Sequence, residues 1–307
     1  MRTLVIGAGA VGGYFGACLQ RAGRDVTFLV RQKRADQLRR TGLQIFSPLG
    51  DFQIEPKLLT AEELKSEPQT FELILLSTKA YSLEAAMEDF APAVGPGTAI
   101  LPVLNGMRHL DMLAARFGAE HVLGGSTRIV ADLDSEGRVH VLERHHDLVF
   151  GEINREMTPR IQAIFAELHG AGFDDMLSPD ILTGMWQKWV LLSSMASITC
   201  LMRGTVGQVA HAPGGAETAL AIIAEGASIA RAEGFELAPT FIENISKRLT
   251  QTDSTLTASM YRDLHKGAPV ESDQIVGDLI ARAKKHGLET PLLRATFAQL
   301  SVYMQSL

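Results

Sequence analysis

The sequence predicts an α/β domain with a doubly wound parallel sheet, followed by an all-α domain. Short charge-free runs of leucine and β-branched residues alternate with helical patterns in the first half, as in strands buried on both faces. Beyond residues 178–180 no strand-like run appears, and helical periodicity continues almost to the end. With 307 residues, 46% of them hydrophobic, the chain is long enough for two globular domains. We place these domains at residues 1–175 and 176–307.

The N-terminal segment has the pattern of a strand, a glycine-rich turn, a helix and a second strand. The strands are Leu4–Ile6 and Val26–Val30. The turn comprises Gly7, Ala8, Gly9, Ala10, Val11 and Gly12. This order is the context that a dinucleotide-binding fingerprint requires, so it predicts a Rossmann-type domain rather than a turn without a ligand. Gly7 permits the tight turn, and Gly9, which has no Cβ, lets the backbone approach a pyrophosphate at the helix N-terminus.

The residue that follows the second strand is basic. Enzymes that use NAD usually carry Asp or Glu at this point, where it hydrogen-bonds the ribose 2′-OH. This chain has Arg31-Gln32-Lys33-Arg34 and no acid. A guanidinium can hold a 2′-phosphate in a bidentate fork. The sequence therefore favours NADP(H), with Arg31 as the contact and with Lys33 and Arg34 in a solvated helix start.

Two more polar residues follow predicted strands in the way that Arg31 does. A strand at 71–76 leads to Lys79, and a strand at 98–104 leads to Asn105. Ligands of open α/β sheets bind beyond the carboxyl ends of the strands. We therefore expect Arg31, Lys79 and Asn105 to serve one ligand site, although a loop-capping role fits Lys79 or Asn105 alone equally well.

Local patterns predict the other elements of the first domain. Helices are predicted at 34–40, 82–90 and 158–169, and a hairpin at 43–46 and 52–54. Residues 124–149 are rich in alternating β-formers, and we expect them to extend the sheet as an antiparallel pair around a turn at 134–137. His140, His145 and His146 lie in this stretch without the spacing of a metal site, so we interpret them as surface or structural residues.

Composition and charge argue against several classes of function. The net charge of −6 disfavours a nucleic-acid partner, because proteins that bind nucleic acids usually present a basic face. No run reaches the roughly eighteen apolar residues of a membrane span. The only two cysteines, Cys18 and Cys200, lie in apolar helical contexts and form no disulfide framework, which fits a reducing cytoplasm.

The second domain places one lysine in an apolar setting. Its helices are predicted at 180–200, 215–233, 239–250 and 270–286, with a last one from Pro291. Lys188 lies in the first of them, within Trp186-Gln187-Lys188-Trp189. Such a lysine either snorkels, with a packed stem and a hydrated amine, or donates a proton with a pKa moved by partial desolvation. On these residues alone, snorkelling is the simpler interpretation.

A further polar group lies near residue 260. Ser259 and Asp263 are four residues apart and therefore share one face of a helix. Glu271 follows a Gly/Pro turn, where an acid either stabilises a helix start through the helix dipole or belongs to a site. The residues alone leave both interpretations open.

Taken together, these motifs resemble the ketopantoate reductase (2-dehydropantoate 2-reductase) family over nearly the whole chain. The matching segments are residues 7–13, Arg31, Ser77-Thr78-Lys79, Leu104-Asn105-Gly106, Trp186-Gln187-Lys188, and Ser259-Met260 with Asp263 and Glu271. The resemblance implies a Rossmann domain and a helical domain that enclose a cleft. It implies a cytoplasmic NADP-dependent oxidoreductase of pantothenate biosynthesis, in which NADPH reduces a small 2-keto acid, with 2-dehydropantoate as the leading substrate. It leaves a homodimer open.

The same resemblance implies roles for individual residues. Lys188 would be the general acid that protonates the carbonyl oxygen as the hydride arrives, and an ammonium suits a developing alkoxide. Glu271 would orient that lysine, the substrate or the cofactor. Asn105 would hydrogen-bond the substrate and the nicotinamide side of the site. Ser259 would contact the substrate, with Asp263 on the same helix face.

One departure from the family concerns the substrate. Family members commonly carry asparagines one and two helical turns after the lysine, where this chain has Leu192 and Ala196. Nearby serines at 193, 194 and 197 offer a partial substitute. A reductase of a more apolar 2-keto acid, a dehydrogenase of the hydroxyisobutyrate type and a non-enzymatic NADPH sensor are the alternatives. A sensor would need neither Lys188 nor Glu271.

Overall fold

The computed structural model describes all 307 residues and divides them into two compact units. The first unit comprises Met1–Leu104 and His109–Leu182, and the second comprises Asn105–Arg108 and Thr183–Leu307. The main division thus falls between Leu182 and Thr183, whereas the sequence places it at residue 175. The second unit also takes the short Asn105–Arg108 segment, which no periodicity in the sequence indicates.

Ten strands form two sheets in the first unit. In chain order they are β1 (Arg2–Ile6), β2 (Asp25–Leu29), β3 (Leu43–Phe46), β4 (Phe52–Ile54), β5 (Lys57–Leu59), β6 (Leu73–Leu76), β7 (Ala99–Pro102), β8 (Leu123–Leu133), β9 (Val139–Glu152) and β10 (Asp174–Leu177). The first sheet has the order β5-β2-β1-β6-β7, with every neighbouring pair parallel. Every residue of β6 and β7 is buried, which explains their charge-free sequences. The predicted α/β fold class is confirmed.

Thirteen α-helices complete the chain. They are α1 (Ala10–Arg21), α2 (Gln32–Thr41), α3 (Ala61–Ser66), α4 (Leu83–Phe90), α5 (Arg108–Phe117), α6 (Pro159–Leu168), α7 (Ile181–Met202), α8 (Val206–His211), α9 (Gly215–Ala232), α10 (Pro239–Leu249), α11 (Ser259–His265), α12 (Asp278–Lys285) and α13 (Pro291–Gln305). From Thr183 onward the chain contains no strand, so the predicted all-α second domain is also confirmed. None of the helices combines the length and hydropathy needed to cross a bilayer.

The register of the parallel sheet brings three connections to one edge. Ile6, the last residue of β1, lies opposite Leu29 of β2 and Leu76 of β6. The three central strands therefore end together. The glycine-rich turn follows β1, Arg31 follows β2 and Lys79 follows β6, so the first unit places these three segments at the same end of its sheet.

Helix α1 lies close against the sheet because of its glycines. A Cβ at Gly16 would lie 2.6 Å from the ring of Phe28 on β2, so no larger residue fits without moving the helix. The opposite face of α1 contributes Phe15 and Cys18 to a core that also contains side chains of both sheets and of α6. The glycines of α1 thus allow a short distance between this helix and strand β2.

The predicted extension of the parallel sheet is wrong. β8 and β9 pair antiparallel, as expected, but they belong to a second sheet of order β10-β9-β3-β4, with β8 also paired to β9. The N–H groups of Ala99 and Val103 donate toward β6, so the N position of Pro102 faces outward and has no hydrogen to offer another strand. One isolated parallel bridge, from Ile100 of β7 to Val122 just before β8, lies between the two sheets.

Candidate active site

The glycine-rich turn has the geometry of a backbone anion cradle. Gly7 has φ of 88°, a left-handed conformation that favours glycine. A Cβ at Gly12 would collide with Ser77 Oγ and lie 2.5 Å from the carbonyl oxygen of Gly7. A Cβ at Gly9, by contrast, would meet nothing within 4 Å. Gly9 is the N-cap of α1 and provides no side-chain cap, so the first N–H groups of α1 remain available to a ligand.

The two arginines after β2 differ in their surroundings. Arg31, the N-cap of α2, is exposed, and its guanidinium contacts no protein acceptor. Arg34 is partly buried, and its Nε and Nη2 donate to the carbonyl oxygen of Ala8 at 3.2 and 2.9 Å. Burial lowers the pKa of Arg34 from its ordinary value. The prediction of a solvated Arg34 is therefore wrong, because the first turn of α2 directs this side chain onto the glycine-rich turn. Lys33 is exposed, as expected.

The end of β6 supplies a buried hydroxyl next to this turn. Thr78 Oγ1 is buried and has no hydrogen-bond partner, which is uncommon for a buried polar group. Its methyl group lies 3.9 Å from the position that a Cβ on Gly7 would take. Lys79 follows and is exposed. The open backbone at Gly9 and the unpartnered hydroxyl of Thr78 fit a dinucleotide, whose phosphate and ribose oxygens can satisfy both.

Asn105 belongs to the second unit and lies three residues beyond the end of β7. It is partly buried, and Gly106 after it has φ of 81°. A Cβ on Gly106 would lie 2.7 Å from the carbonyl oxygen of Gln274. The turn that presents Asn105 therefore packs against the segment that directly follows Glu271.

Lys188 is the perturbed cation of the second unit. It lies on α7, and the residue keeps some exposed surface while protein atoms surround its amine. Burial lowers its pKa from the ordinary 10.5 to about 8, and the charge of Glu271 opposes this by stabilising the ammonium. A snorkelling lysine with a hydrated amine would keep its ordinary pKa. The amine of Lys188 is thus desolvated and not hydrated as in snorkelling, and its role as proton donor stays a prediction.

Glu271 precedes an irregular helical turn. The chain is π-helical over Asp273–Gly277 before it enters α12, where the sequence predicts one regular helix from residue 270. The carbonyl oxygen of Glu271 accepts a 3.0 Å hydrogen bond from the N–H of Ile275. Single π-helical turns are rare and occur frequently at functional sites. The irregularity lies immediately beside the predicted acid.

Ser259 and Asp263 lie on α11, one turn apart as expected. Ser259 is the first residue of this helix and is exposed, whereas Asp263 is partly buried. Burial raises the pKa of the Cys200 thiol to about 12, and the charge of Asp263 acts in the same direction. Asp263 therefore lies near the C-terminal end of α7, and the substrate contact assigned to Ser259 stays a prediction.

Beyond Lys188, the partly exposed stripe of α7 is apolar. It comprises Gln187, Lys188, Leu191, Leu192 and Met195. Ala196, one of the two positions where the family commonly has asparagine, is only 2% exposed. Leu191, Leu192 and Met195 thus provide the partly exposed surface that follows the lysine on this helix.

The serines of α7 do not provide that surface with hydroxyls. Ser193, Ser194 and Ser197 are all fully buried. At about 100° per residue, Ser194 and Ser197 lie on the side of the helix away from Lys188. Ser193 donates to the carbonyl oxygen of Val190 at 3.2 Å. Their substitution for the missing asparagines therefore finds no support in the structure.

The histidines have structural partners. His140 hydrogen-bonds Asp134 at 2.9 Å, and buried His146 hydrogen-bonds the hydroxyl of Tyr14 at 2.6 Å. His145 is exposed. No cluster of three potential metal ligands occurs in the structure.

Sequence reasoning names Arg34, Thr78 and Trp189 without finding what surrounds them. Arg34 donates to the carbonyl oxygen of Ala8 and Trp189 to that of Ile275, both distant in the chain, whereas the buried hydroxyl of Thr78 has no protein partner. A tryptophan in an apolar run signals a buried indole N–H that needs an acceptor, but it does not say which one. Their surroundings become visible only in three dimensions.

The comparisons with known proteins agree over the whole chain. The sequence profile of the family described as ketopantoate reductase PanE/ApbA matches residues 3–155, and the profile of its C-terminal part matches residues 180–304. A Bacillus subtilis protein named uncharacterized oxidoreductase YkpB is 38% identical over 99% of both chains. The 2-dehydropantoate 2-reductase of Archaeoglobus fulgidus is 27% identical, over 95% of this chain and 94% of that protein.

A solved structure extends the agreement to three dimensions. The crystal structure of 2-dehydropantoate 2-reductase from Geobacter metallireducens has a TM-score of 0.87 and 27% identity, and it covers 98% of this chain and 99% of its own. Both halves of the chain match the family, and the match includes the nucleotide-binding fold and the helical part. The chain therefore belongs to the ketopantoate reductase family and is an NADP-dependent oxidoreductase.

Proposed function

We propose that this chain reduces a 2-keto acid to the 2-hydroxy acid, with 2-dehydropantoate, which gives pantoate, as the leading substrate. The observation that carries the proposal is Lys188, a lysine whose pKa burial lowers to about 8 while Glu271 favours its charged form. A carbonyl that accepts a hydride develops negative charge on oxygen and needs a proton. At neutral pH a lysine with this pKa is largely protonated and is a stronger acid than an ordinary lysine.

The residues of the first unit would hold the cofactor, which supplies the hydride. The N–H groups at the start of α1 would bind the pyrophosphate, with Gly9 leaving room for it. Arg31 would bind the 2′-phosphate, since its guanidinium is exposed and forms no competing ion pair. Lys79, exposed at the same end of the sheet, adds positive charge for the anionic cofactor. Thr78 Oγ1 would gain the hydrogen bond that it otherwise lacks.

The residues of the second unit would carry out the acid–base step. Lys188 would donate its proton to the carbonyl oxygen, and Glu271 would keep the lysine charged before that transfer. Asn105 would hydrogen-bond the substrate and the nicotinamide side of the site. Ser259 would contact the substrate, with Asp263 beside it on α11. These roles follow from the family resemblance together with the burial and charge described above.

The direct test of the proposal is NADPH consumption with a panel of 2-keto acids. Lys188→Ala should lower turnover by roughly two to four orders of magnitude, because the proton donor is removed, while NADPH still binds. In the unaltered enzyme the rate of reduction should fall as the pH rises through about 8, since only the ammonium can donate.

Lys247→Ala, which removes an exposed lysine of α10, is the matched control and should retain full turnover. A folded Lys188→Ala protein with undiminished turnover would refute the assignment. Absence of NADPH oxidation with every 2-keto acid would instead favour the sensor. Activity confined to other hydroxy acids would favour the hydroxyisobutyrate-type alternative.

A specific observation favours a second substrate class. The partly exposed residues one and two turns after Lys188 on α7 are Leu191, Leu192 and Met195, none of which can hydrogen-bond the hydroxyl of 2-dehydropantoate. A buried substrate hydroxyl without a partner costs roughly 1–3 kcal/mol. A 2-keto acid with an apolar side chain would bind without this loss. Membership of pantothenate biosynthesis depends on which of the two substrates the enzyme prefers.

A further inference from the structure

Trp189 makes a long-range hydrogen bond to the irregular turn after Glu271. Its indole Nε1 donates to the carbonyl oxygen of Ile275 at 2.9 Å, in a fully buried environment. Ile275 lies within the π-helical turn, and its own N–H donates to the carbonyl oxygen of Glu271. A chain of two hydrogen bonds therefore connects the residue after Lys188 to the backbone of Glu271.

The indole of Trp189 packs against a second aromatic ring and a guanidinium. The ring of Trp186 lies 4.8 Å from it, and the guanidinium of Arg282 lies 5.6 Å from its centroid. Arg282 donates to Glu233 at 2.7 Å and to Asp278 at 3.2 Å. Trp189 is 1% exposed, and a side chain packed this closely has little freedom to move, so its N–H can hold the carbonyl group that it binds in a fixed place.

The π-helical turn is also supported from another direction. The Asn105–Gly106 turn approaches the carbonyl oxygen of Gln274 so closely that only glycine fits at position 106. Gln274 and Ile275 thus receive contacts from the segment that presents Asn105 and from the helix that presents Lys188. The π-helical turn therefore contacts the segments that carry Asn105 and Lys188, and it directly follows Glu271.

We propose that Trp189 is a positioning residue, which through the carbonyl oxygen of Ile275 fixes the place of Glu271 relative to Lys188. The inference rests on the proposed role of Lys188 as proton donor. Because Trp189 directly follows Lys188 on α7, one helix carries the acid and also anchors the turn that bears its partner. The distance between the two charges is then set by a hydrogen bond and not by the Gly/Pro turn before Glu271.

The charged residues near Lys188 and Trp189 allow the position of Glu271 to be followed through the pKa of Lys188. Glu271 is the charged group that acts on Lys188. The other charged residues near Trp189, namely Arg282, Glu233, Asp278 and His286, form ion pairs among themselves. A displaced Glu271 should therefore appear as a lower pKa of Lys188, seen as an earlier alkaline loss of reductase activity.

The experiment compares pH profiles of kcat for 2-keto acid reduction in conservative variants. Trp189→Phe removes the indole N–H and should shift the alkaline limb to lower pH by about 0.5 unit or more, since an opposite charge nearby favours the charged form of a group. Trp186→Phe is the matched control, because Trp186 is equally buried and its indole makes no hydrogen bond to the π-helical turn. The phenyl ring keeps an aromatic contact on Trp189, so this variant should leave the limb in place. If Trp189→Phe fails to fold, benzothienylalanine at position 189 deletes the N–H and keeps the ring.

A double variant tests the route through Glu271. Glu271→Gln alone should shift the limb to lower pH, and adding Trp189→Phe to it should cause no further shift, because the charge to be positioned is gone. Equal shifts in Trp189→Phe and Trp186→Phe, no shift in either, or additive shifts in the double variant would overturn the inference. An active Lys188→Ala enzyme would overturn the proposed function instead, so the two failures are distinguishable.

Discussion

At the scale of single residues, Arg31 and Arg34 carry the same guanidinium group but differ in exposure, and we expect them to differ in role. Arg34 uses its guanidinium on the carbonyl oxygen of Ala8, whereas Arg31 has no protein acceptor. Arg31→Ala should raise the Michaelis constant for NADPH far more than that for NADH. The loss of one charge-assisted contact corresponds to about 1.5–3 kcal/mol, or ten- to a hundredfold.

The control for this change is the exposed Lys33 two residues further along. Lys33→Ala removes a positive charge from the same helix start and should affect both cofactors little. Michaelis constants measured with both cofactors in each variant decide the matter. An equal increase for NADPH and NADH in Arg31→Ala would show that this arginine does not contact the 2′-phosphate.

At the scale of secondary structure, helix α7 determines which substrate side chain lies beside the proton donor. Leu192→Asn, alone and together with Ala196→Asn, should shift the ratio of specificity constants toward 2-dehydropantoate by about tenfold or more. The comparison substrate is 3,3-dimethyl-2-oxopentanoate, in which a methyl group replaces the hydroxyl. Ala196 is buried, so the single change at Leu192 should carry most of the effect.

Leu220→Asn on α9 is the matched control, because this leucine is 45% exposed and lies on another helix. It should leave the substrate ratio unchanged. The prediction fails if the unaltered enzyme already prefers 2-dehydropantoate over its apolar analogue. A group elsewhere in the second unit would then hold the hydroxyl.

The elements also show where sequence reasoning succeeds. The β1-α1-β2 pattern follows from local glycine and apolar periodicity, and its predicted strands agree with the structure to within a residue or two. Strands β5 (Lys-Leu-Leu) and β10 (Asp-Asp-Met-Leu) have neither a charge-free apolar run nor β-branched residues, so no local signal predicts them. Pro102 of β7 has no N–H to donate to a further strand, which disfavours pairing of β8 with the first sheet. This effect becomes apparent only when the neighbours of β7 are known.

Some of the predicted site residues follow from local sequence patterns, and others do not. Glycines and Arg31 follow from a local motif, and Lys188 and Glu271 follow from resemblance, because nothing near Lys188 in the chain reveals Glu271. The hydrogen bond from Trp189 spans 86 residues, so no local pattern can predict it. Sequence reasoning thus identifies the chemical groups more readily than the residues that hold them in place.

At the scale of the whole molecule, the two units can be probed separately. Both tryptophans lie in the second unit, so tryptophan fluorescence reports on that unit alone. In the first unit, Glu152 at the end of β9 is 4% exposed and accepts hydrogen bonds from Arg160 and Thr158. Burial raises the pKa of this carboxyl, but its bonds to Arg160 and Thr158 lower it more, so the net shift is downward.

A carboxyl with a lowered pKa stabilises the folded state above its unfolded pKa of about 4.3, and this contribution disappears as the pH falls through the folded value. Glu152→Gln should therefore destabilise the first unit by about 1.5–3 kcal/mol at neutral pH and much less in acid. Hydrogen exchange of the β9 amides measures the effect, and tryptophan fluorescence serves as the control. An equal loss at neutral and acidic pH would show that the charge of Glu152 contributes nothing.

The bond from Arg34 to Ala8 has a consequence for the thermodynamics of cofactor binding. Arg34 also donates to Gln37, which in turn donates to the carbonyl oxygen of Glu136, so α2 ties the glycine-rich turn to the β8–β9 hairpin. Ordering one backbone residue costs about 1–2 kcal/mol of conformational entropy. A turn already braced by protein side chains avoids most of that cost when the nucleotide arrives. Binding at this turn should therefore resemble docking to a rigid receptor, with more of the phosphate interaction retained as affinity.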